Sequence, residues 1–393
     1  MLASGRLRVE PGVHGPSWLG LLGIARTDTA LDVASGATLG GFLLLAVSTA
    51  VVLIRRPSVR WAGVVGTVSA LPLLIGPPVG SLDVYAYAGQ GQLLTKGIDP
   101  FSHGVRFAGG AFVAAADPRW RKQGAPYGPL AMLVSHGAAW LGGDSVGATV
   151  VVLRVVAVVA VVVSVLLAAR LAVDPVVAVA VGTSPLVLVT LVSAAHHEAL
   201  MGMFVLGALL AHRSGHRVLA LVLAALAAAV KLPGVVALGA LVCLDLAQAS
   251  SLPGRVRSLG RAVVCTVAVW GILALLVPDE FGWVSALSTP GNGKSPQAPA
   301  VMLLPGSKSH WRAACEALAV VVVAVLLLTV RRRPVGETVG WGLLAVGLLG
   351  PVLYPWYLAA PAMVLATTAN GWARRLAIAA GLSGPWLAIP RIG

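Results

Sequence analysis

The sequence predicts an all-α polytopic membrane protein, and three observations carry that reading. The 393 residues are 58% hydrophobic and only 11% charged, whereas soluble domains run at roughly 45–50% apolar and about 25% charged. The apolar residues come in blocks of the length needed to cross a hydrocarbon core, about 20 helical residues. The arginines fall in short loops between alternate blocks, the pattern that marks cytoplasmic loops. The net charge of +14 is therefore a statement about topology and gives no reason to invoke nucleic acid.

Taken in order, the apolar blocks place spans at 37–54, 61–79, 146–169, 175–193, 198–211, 217–230, 234–249, 262–278, 313–330, 337–353, 357–370 and 375–390. The piece 128–142 is short for a crossing and suits an interfacial or re-entrant helix. The count is thus about 12–13 transmembrane helices in one domain over 37–390. Residues 1–36 hold no block long enough to span, so they are expected to be irregular or truncated relative to related chains. No internal repeat and no cleavable leader is visible. Cys243, Cys265 and Cys315 all lie inside apolar blocks and read as core thiols.

Arginines 55, 56, 60, 170, 213, 217, 255, 257, 261, 331–333, 374 and 375 define the inner loops. The alternate loops face outward. They include two long segments, 80–127 and 279–312, and they hold Asp83, Asp99, Asp117, Asp279 and Glu280 together with every lysine of the chain: Lys96, Lys122, Lys231, Lys294 and Lys308. Widely separated polar residues thereby converge on one membrane face, where ionisable groups usually serve a site or pathway.

Each has a plainer reading. Asp83 suits a helix N-cap. Asp99 before Pro100 forms turns. Tyr127 and Trp356 fit an interfacial aromatic belt, and Lys231 can snorkel. His196, His197 and Glu198 are poor metal ligands because adjacent residues point to different helix faces. Arg154 falls inside a span and requires a partner. Asn292-Gly293-Lys294-Ser295 lacks the glycine spacing and preceding strand of a phosphate loop.

Asp83-Val84-Tyr85-Ala86-Tyr87, Gln90-Gly91-Gln92-Leu93, Gly97-Ile98-Asp99-Pro100-Phe101 and Tyr127-Gly128-Pro129 resemble the first outer loop of actinobacterial GT-C glycosyltransferases. With His196-His197-Glu198-Ala199-Leu200-Met201 and Tyr354-Pro355-Trp356-Tyr357, the chain is most similar to the polyprenol-phosphate-mannose-dependent α-1,6-mannosyltransferases of lipoglycan assembly, the MptA/MptB type. The resemblance covers about residues 16–370. It implies a GT-C bundle in the plasma membrane with an outward active site and interfacial helices in the long first outer loop. It also implies a polyprenyl-phosphate-mannose donor, a mannan or lipoglycan acceptor, and inversion at the anomeric carbon.

The resemblance assigns Asp83 as the general base, a role typically worth about 10²–10⁴-fold. The leaving phosphate needs preorganised positive donors, for which Lys231 comes first, then His196 or His197, with Lys294, Lys308 and Arg312 behind them. Tyr85, Gln90, Tyr127, Glu198, Trp356 and Tyr357 are expected against sugar or acceptor, and Asp99 as a loop organiser that can also meet acceptor. No cofactor is expected, and a divalent metal is not favoured. Two rival readings are a GT-C arabinosyltransferase using polyprenyl-phosphate arabinose and a transporter or flippase for a lipid-linked sugar. The latter predicts inverted repeats and broken helices at the midplane.

Overall fold

The protein is an all-α polytopic membrane protein, seen here in a computed structural model that describes residues 28–277, 282–286, 308–384 and 386. In chain order its helices are α1 (Asp28–Arg55), α2 (Val59–Ile75), α3 (Asp83–Thr95), α4 (Gly110–Ala115), α5 (Pro129–Gly142), α6 (Val146–Leu171), α7 (Pro175–Gly182) and α8 (Pro185–Val187). They continue with α9 (Glu198–Arg213), α10 (Arg217–Val230), α11 (Val235–Gln248), α12 (Leu252–Leu276), α13 (Trp283–Ala286), α14 (Lys308–Leu328), α15 (Val335–Leu349), α16 (Ala359–Leu365) and α17 (Gly371–Ser383). Short 3-10 turns lie at Val105–Phe107, Pro118–Arg121, Leu232–Gly234, Val330–Arg332 and Pro355–Leu358.

Among the described residues, five helical segments are long and apolar enough to cross a membrane: Gly36–Arg55, Val146–Leu171, Pro175–Ser193, Leu252–Leu276 and His310–Leu328. Val59–Ile75, Arg217–Val230, Leu232–Gln248, Val335–Leu349 and Pro355–Leu365 are apolar but shorter. Their outer faces are apolar, with Ile54, Leu275 and Leu328 among the most exposed side chains. Such a surface suits lipid, because hydrocarbon solvates leucine as well as a protein core does.

Several spans differ in detail from the sequence reading. Helix α1 begins at Asp28, nine residues before the predicted start at 37. The predicted span 175–193 is not one α-helix: it breaks between Gly182 and Pro185 and ends as a π-helical turn at Leu188–Ser193. Pro185 lacks an N–H and disfavours helical backbone at the residue before it, which accounts for the break. The predicted span 357–370 is a 3-10 turn followed by the short α16. Pro355 and Pro361 prevent one long helix there. The piece 128–142 is the helix α5, started by Pro129 at its first position, where a missing N–H costs nothing.

Several charged groups are held by partners within the bundle. Arg154, in mid-α6, donates to the carbonyl oxygens of Gly76 (2.7 Å) and Leu73. Those carbonyls sit at the C-terminal end of α2, where helical oxygens lack intrahelical partners and the dipole favours a cation. At the arginine-rich end, Asp174 pairs with Arg56 and lies 3.8 Å from Arg374. Arg213 donates to the carbonyls of Leu171 (3.0 Å) and Arg170, and Arg217 pairs with Asp245. The loops assigned to one face by their arginines are therefore in contact with one another.

Close backbone packing positions the other end. Helix α3 lies against α5, and a Cβ on Gly91 would come within 2.0 Å of the Ser135 carbonyl oxygen. At the start of α5 the Gly128 N–H donates to the Val230 carbonyl at 3.0 Å, and a Cβ there would meet the Ala229 oxygen at 2.2 Å. Small residues that let helices approach are the main packing device inside a bilayer.

Gly91→Ala is expected to destabilise by at least about 1–3 kcal/mol, the range for overpacking, read as a lower midpoint of thermal unfolding in detergent. Asp174 supplies a pH test. Burial raises its pKa, but the Arg56 hydrogen bond, the Val177 N–H and the charges of Arg56 and Arg374 outweigh that, so it lies below its ordinary 3.8. A lowered carboxylate pKa stabilises the fold fully above 3.8, and that contribution is lost as pH falls through the lowered value. Asp174→Asn should remove this part of the acid sensitivity, measured as unfolding midpoint against pH from 6 downward.

Candidate active site

Asp83 is the first residue of α3, behind Leu82 at the cap position, and no side chain caps this helix. The N-cap reading therefore fails. The Asp83 N–H donates to Ser81 Oγ at 3.2 Å, while Oδ1 of the carboxylate accepts the indole N–H of Trp120 at 2.9 Å. The side chain is buried yet lines a cavity.

One helical turn on, at i+4 and so on the same face of α3, Tyr87 is fully buried. Its hydroxyl lies 2.9 Å from His196 Nδ1 and 3.2 Å from the Tyr127 hydroxyl, and its ring stacks on His197 at 4.2 Å. The two histidines were expected to point apart on a helix. They instead precede α9 and both meet Tyr87. The backbone makes this possible: the π-helical turn ends at Ser193, and Ala195 holds a φ of +51°. A left-handed conformation at a residue with a Cβ is uncommon and costly, and it is typical of functional sites. Burial, with the Lys231 charge adding to it, pushes the His197 pKa down to about 3. His197 is thus a neutral ring at physiological pH, and any role toward a phosphate is that of a hydrogen-bond donor rather than a cation.

Lys231 follows α10 in extended backbone, fixed by the Gly128–Val230 hydrogen bond and by Pro233. It does not snorkel. Its side chain is 12% exposed and its ammonium pairs with Glu198 Oε1. The ammonium also sits 4.2 Å from the centre of the Tyr357 ring and 5.4 Å from that of Tyr127, within cation–π range. The second Glu198 oxygen is buried without a hydrogen-bond partner.

A flat aromatic wall completes the site. Tyr354 stacks on Trp356 at 4.5 Å with planes 7° apart, and Trp356 stacks on His196 at 3.8 Å with planes 16° apart. Tyr357 meets both Tyr354 and Trp356 edge-on. Asp83, Trp120, Tyr127, Glu198, Lys231, Glu316, Tyr354, Trp356 and Tyr357 all line one cavity of about 260 Å³, with Leu343, Val346 and Pro361 on its apolar side. That volume lies just below the usual ligand-pocket range of about 300–1,000 Å³.

Of the residues singled out from sequence, Asp83, Lys231, Glu198, Tyr127, Trp356 and Tyr357 come together in this cavity. His196 and His197 stand behind its wall, stacked on Trp356 and Tyr87. Tyr85 and Gln90 do not line it, and Gln90 is buried in α3 with neither amide atom hydrogen-bonded. Asp99 accepts the N–H groups of Phe101 (2.9 Å) and Ser102 (3.1 Å), closing its own turn away from the cavity. Lys294 lies outside the described residues. Sequence reading missed Trp120 and Glu316, and it quoted Tyr354 within its motif without giving it a site role. Glu316 carried a usable signal, since it is an acid inside an apolar run.

Fold and site together define a polytopic α-helical membrane protein that gathers carboxylates, one lysine and stacked aromatic rings into a cavity where several of its helices end. The chain belongs to the alpha-(1->6)-mannopyranosyltransferase family: the profile of that family's N-terminal domain matches residues 2–247. It is similar to a probable alpha-(1->6)-mannopyranosyltransferase of Mycolicibacterium smegmatis, at 30% identity over 82% of this chain and 66% of that one. It is also similar to two alpha-(1->6)-mannopyranosyltransferases of Mycobacterium tuberculosis, each at 29% identity. One match covers 73% of this chain and 62% of the relative, and the other covers 79% and 66%. The chain thus spans just under two thirds of the length of these relatives. No solved structure matches it significantly.

The Lys231–Glu198 pair yields a prediction. Glu198→Ala leaves an ammonium in a nearly dry site and should cost about 3–5 kcal/mol, the range for breaking a buried pair. Replacing both, Glu198→Gln with Lys231→Met, should recover most of that loss in thermal unfolding.

Proposed function

We propose that the protein is a GT-C glycosyltransferase of the plasma membrane that moves mannose from polyprenyl-phosphate mannose to an α-1,6-linked mannan or lipoglycan acceptor, with its active site facing outward. The observation that carries this is the placement of Asp83 in one cavity with Lys231 and the Tyr354–Trp356 stack. The family supports mannose and the 1,6 linkage.

The chemistry is a single displacement. The acceptor hydroxyl oxygen forms a bond to the anomeric carbon while the bond from that carbon to the phosphate oxygen breaks. The hydroxyl proton passes to the Asp83 carboxylate, and the electron pair leaves on polyprenyl phosphate. By analogy with inverting glycoside hydrolysis, the base acts on the face opposite the leaving group, so a β-linked donor gives an α-linked product. Lys231, which lines the cavity, supplies the positive charge for the developing phosphate, and charge placed in advance in a site with little water acts strongly on it. Trp356 and Tyr354 offer flat faces for the apolar side of a pyranose ring. Reaction at the membrane edge follows from the donor, whose lipid chain keeps its phosphate at headgroup depth.

The test is purified protein in proteoliposomes with polyprenyl-phosphate mannose and a short α-1,6-mannoside, followed by linkage analysis. Asp83→Asn keeps the shape and removes the base, and transfer should fall at least about 10²-fold. Transfer near the wild-type rate by that variant would overturn the assignment.

A further inference from the structure

We propose that Trp120 is a positioning residue for the reaction: its indole N–H sets the orientation of the Asp83 carboxylate. The inference rests on the role given to Asp83 above, and it assigns a task to a residue that no part of the sequence singled out.

The local chain is built to hold this indole in place. Trp120 lies on the 3-10 turn Pro118–Arg121, with Pro118 at its start, where a ring-fixed φ suits the turn. Asp117 caps the turn, accepting the Arg119 N–H and Arg119 Nε–H at 2.9 Å each and pairing with Nη2 at 2.7 Å. The other Arg119 nitrogen, Nη1, lies 3.5 Å from the Tyr354 hydroxyl, which ties the turn to the aromatic wall. The result places Trp120 Nε1 2.9 Å from Asp83 Oδ1, and both residues line the cavity.

Two physical consequences follow. Indole N–H is a donor only, so it can meet the carboxylate in one way, and at 2.9 Å it helps to set the plane of the Asp83 carboxylate. A donor to the charged form of an acid also favours that form. Arg119, Tyr87 and Tyr127 also act electrostatically on Asp83, and the Trp120 N–H adds a direct donor that favours the proton-accepting form and aims one carboxylate edge at the reacting hydroxyl. A merely architectural indole, pinning the outer loop to α3, predicts a different result: lower stability with unchanged chemistry.

The experiment replaces Trp120 by Phe, which keeps an aromatic ring and removes the N–H. A second variant carries benzothienylalanine at position 120, a shape-matched side chain with sulfur in place of N–H. Both are assayed in proteoliposomes with polyprenyl-phosphate mannose and a short α-1,6-mannoside, from pH 5 to 9. The expected result is a kcat lower by about tenfold, an unchanged KM for donor, and an acid limb of the pH–rate profile moved up by about one unit. The sign follows from the chemistry. A base that loses a donor to its ionised form takes up its proton at higher pH, so activity disappears sooner as pH falls. Wild-type kcat with an unmoved acid limb in the benzothienylalanine variant overturns the proposal, whatever the stability of the Phe variant. Asp83→Asn, run beside them, separates the two claims. If that variant is inactive and the Trp120 variants behave as wild type, only the positioning role falls. If Asp83→Asn itself is active, the catalytic reading falls first.

Discussion

A charge placed among apolar helices must be matched there, and that constraint shapes this molecule. An unpaired ion in a low-dielectric interior costs several kcal/mol even after relaxation. Several of the charges accordingly meet partners. Arg154 donates to the carbonyl end of α2, Lys231 pairs with Glu198, Arg217 with Asp245, and Asp174 with Arg56 and Arg374. Glu337 accepts from Asn370. Two chemically distinct ends result. One is stitched by arginines to carboxylates and carbonyls. The other collects the acids, the lysine and the rings that line the cavity.

The second end is put together by backbone contact more than by side-chain packing. Tyr127 and Lys231 are far apart in sequence, yet the Gly128–Val230 hydrogen bond holds the segments that carry them side by side. The Gly91 contact with Ser135 draws the helix of Asp83 against the same α5 that Tyr127 precedes. The glycines explain why Asp83, Tyr127 and Lys231, from three helix ends, can share a cavity of about 260 Å³.

Much of this was legible in the sequence, for identifiable reasons. Apolar blocks and arginine loops located most helices because burial in lipid imposes length and polarity directly. The break was signalled by Gly182-Thr183-Ser184-Pro185 but outweighed by the apolar residues on both sides of it. Asp83 and Lys231 stood out because acids and lysines are scarce in this chain and these two fall on the face opposite the arginine loops. Trp120 did not, since an aromatic residue in a basic outer loop has many plain uses, and its value lies in a contact across 37 positions. Glu198 was legible as polar but not as the counter-ion of Lys231, because pairing across helices leaves no spacing signal. His196 and His197 were misjudged for a conformational reason. The expectation took them as helical, whereas Ala195 turns left-handed and sends both toward Tyr87.

The distribution of polar groups bears on the choice between transfer and transport. A carrier that moves a sugar headgroup across the bilayer needs hydrogen-bonding groups along the whole crossing, with broken helices at the midplane. Arg154 is the ionised residue of mid-α6, and it is occupied by the backbone of α2 rather than turned to an open path. The broken span Pro175–Ser193 ends in the π-helical turn that feeds His196 and His197, and the break at Pro355–Leu358 places Trp356 and Tyr357, so both irregularities serve the cavity. The cavity itself holds three carboxylates, Asp83, Glu198 and Glu316, against the single ammonium of Lys231. A lining with that balance offers carboxylates for proton transfer beside a single cation. Transfer of a sugar to a hydroxyl has a proton to accept, as the displacement proposed above requires, whereas moving an intact sugar lipid across the bilayer has none.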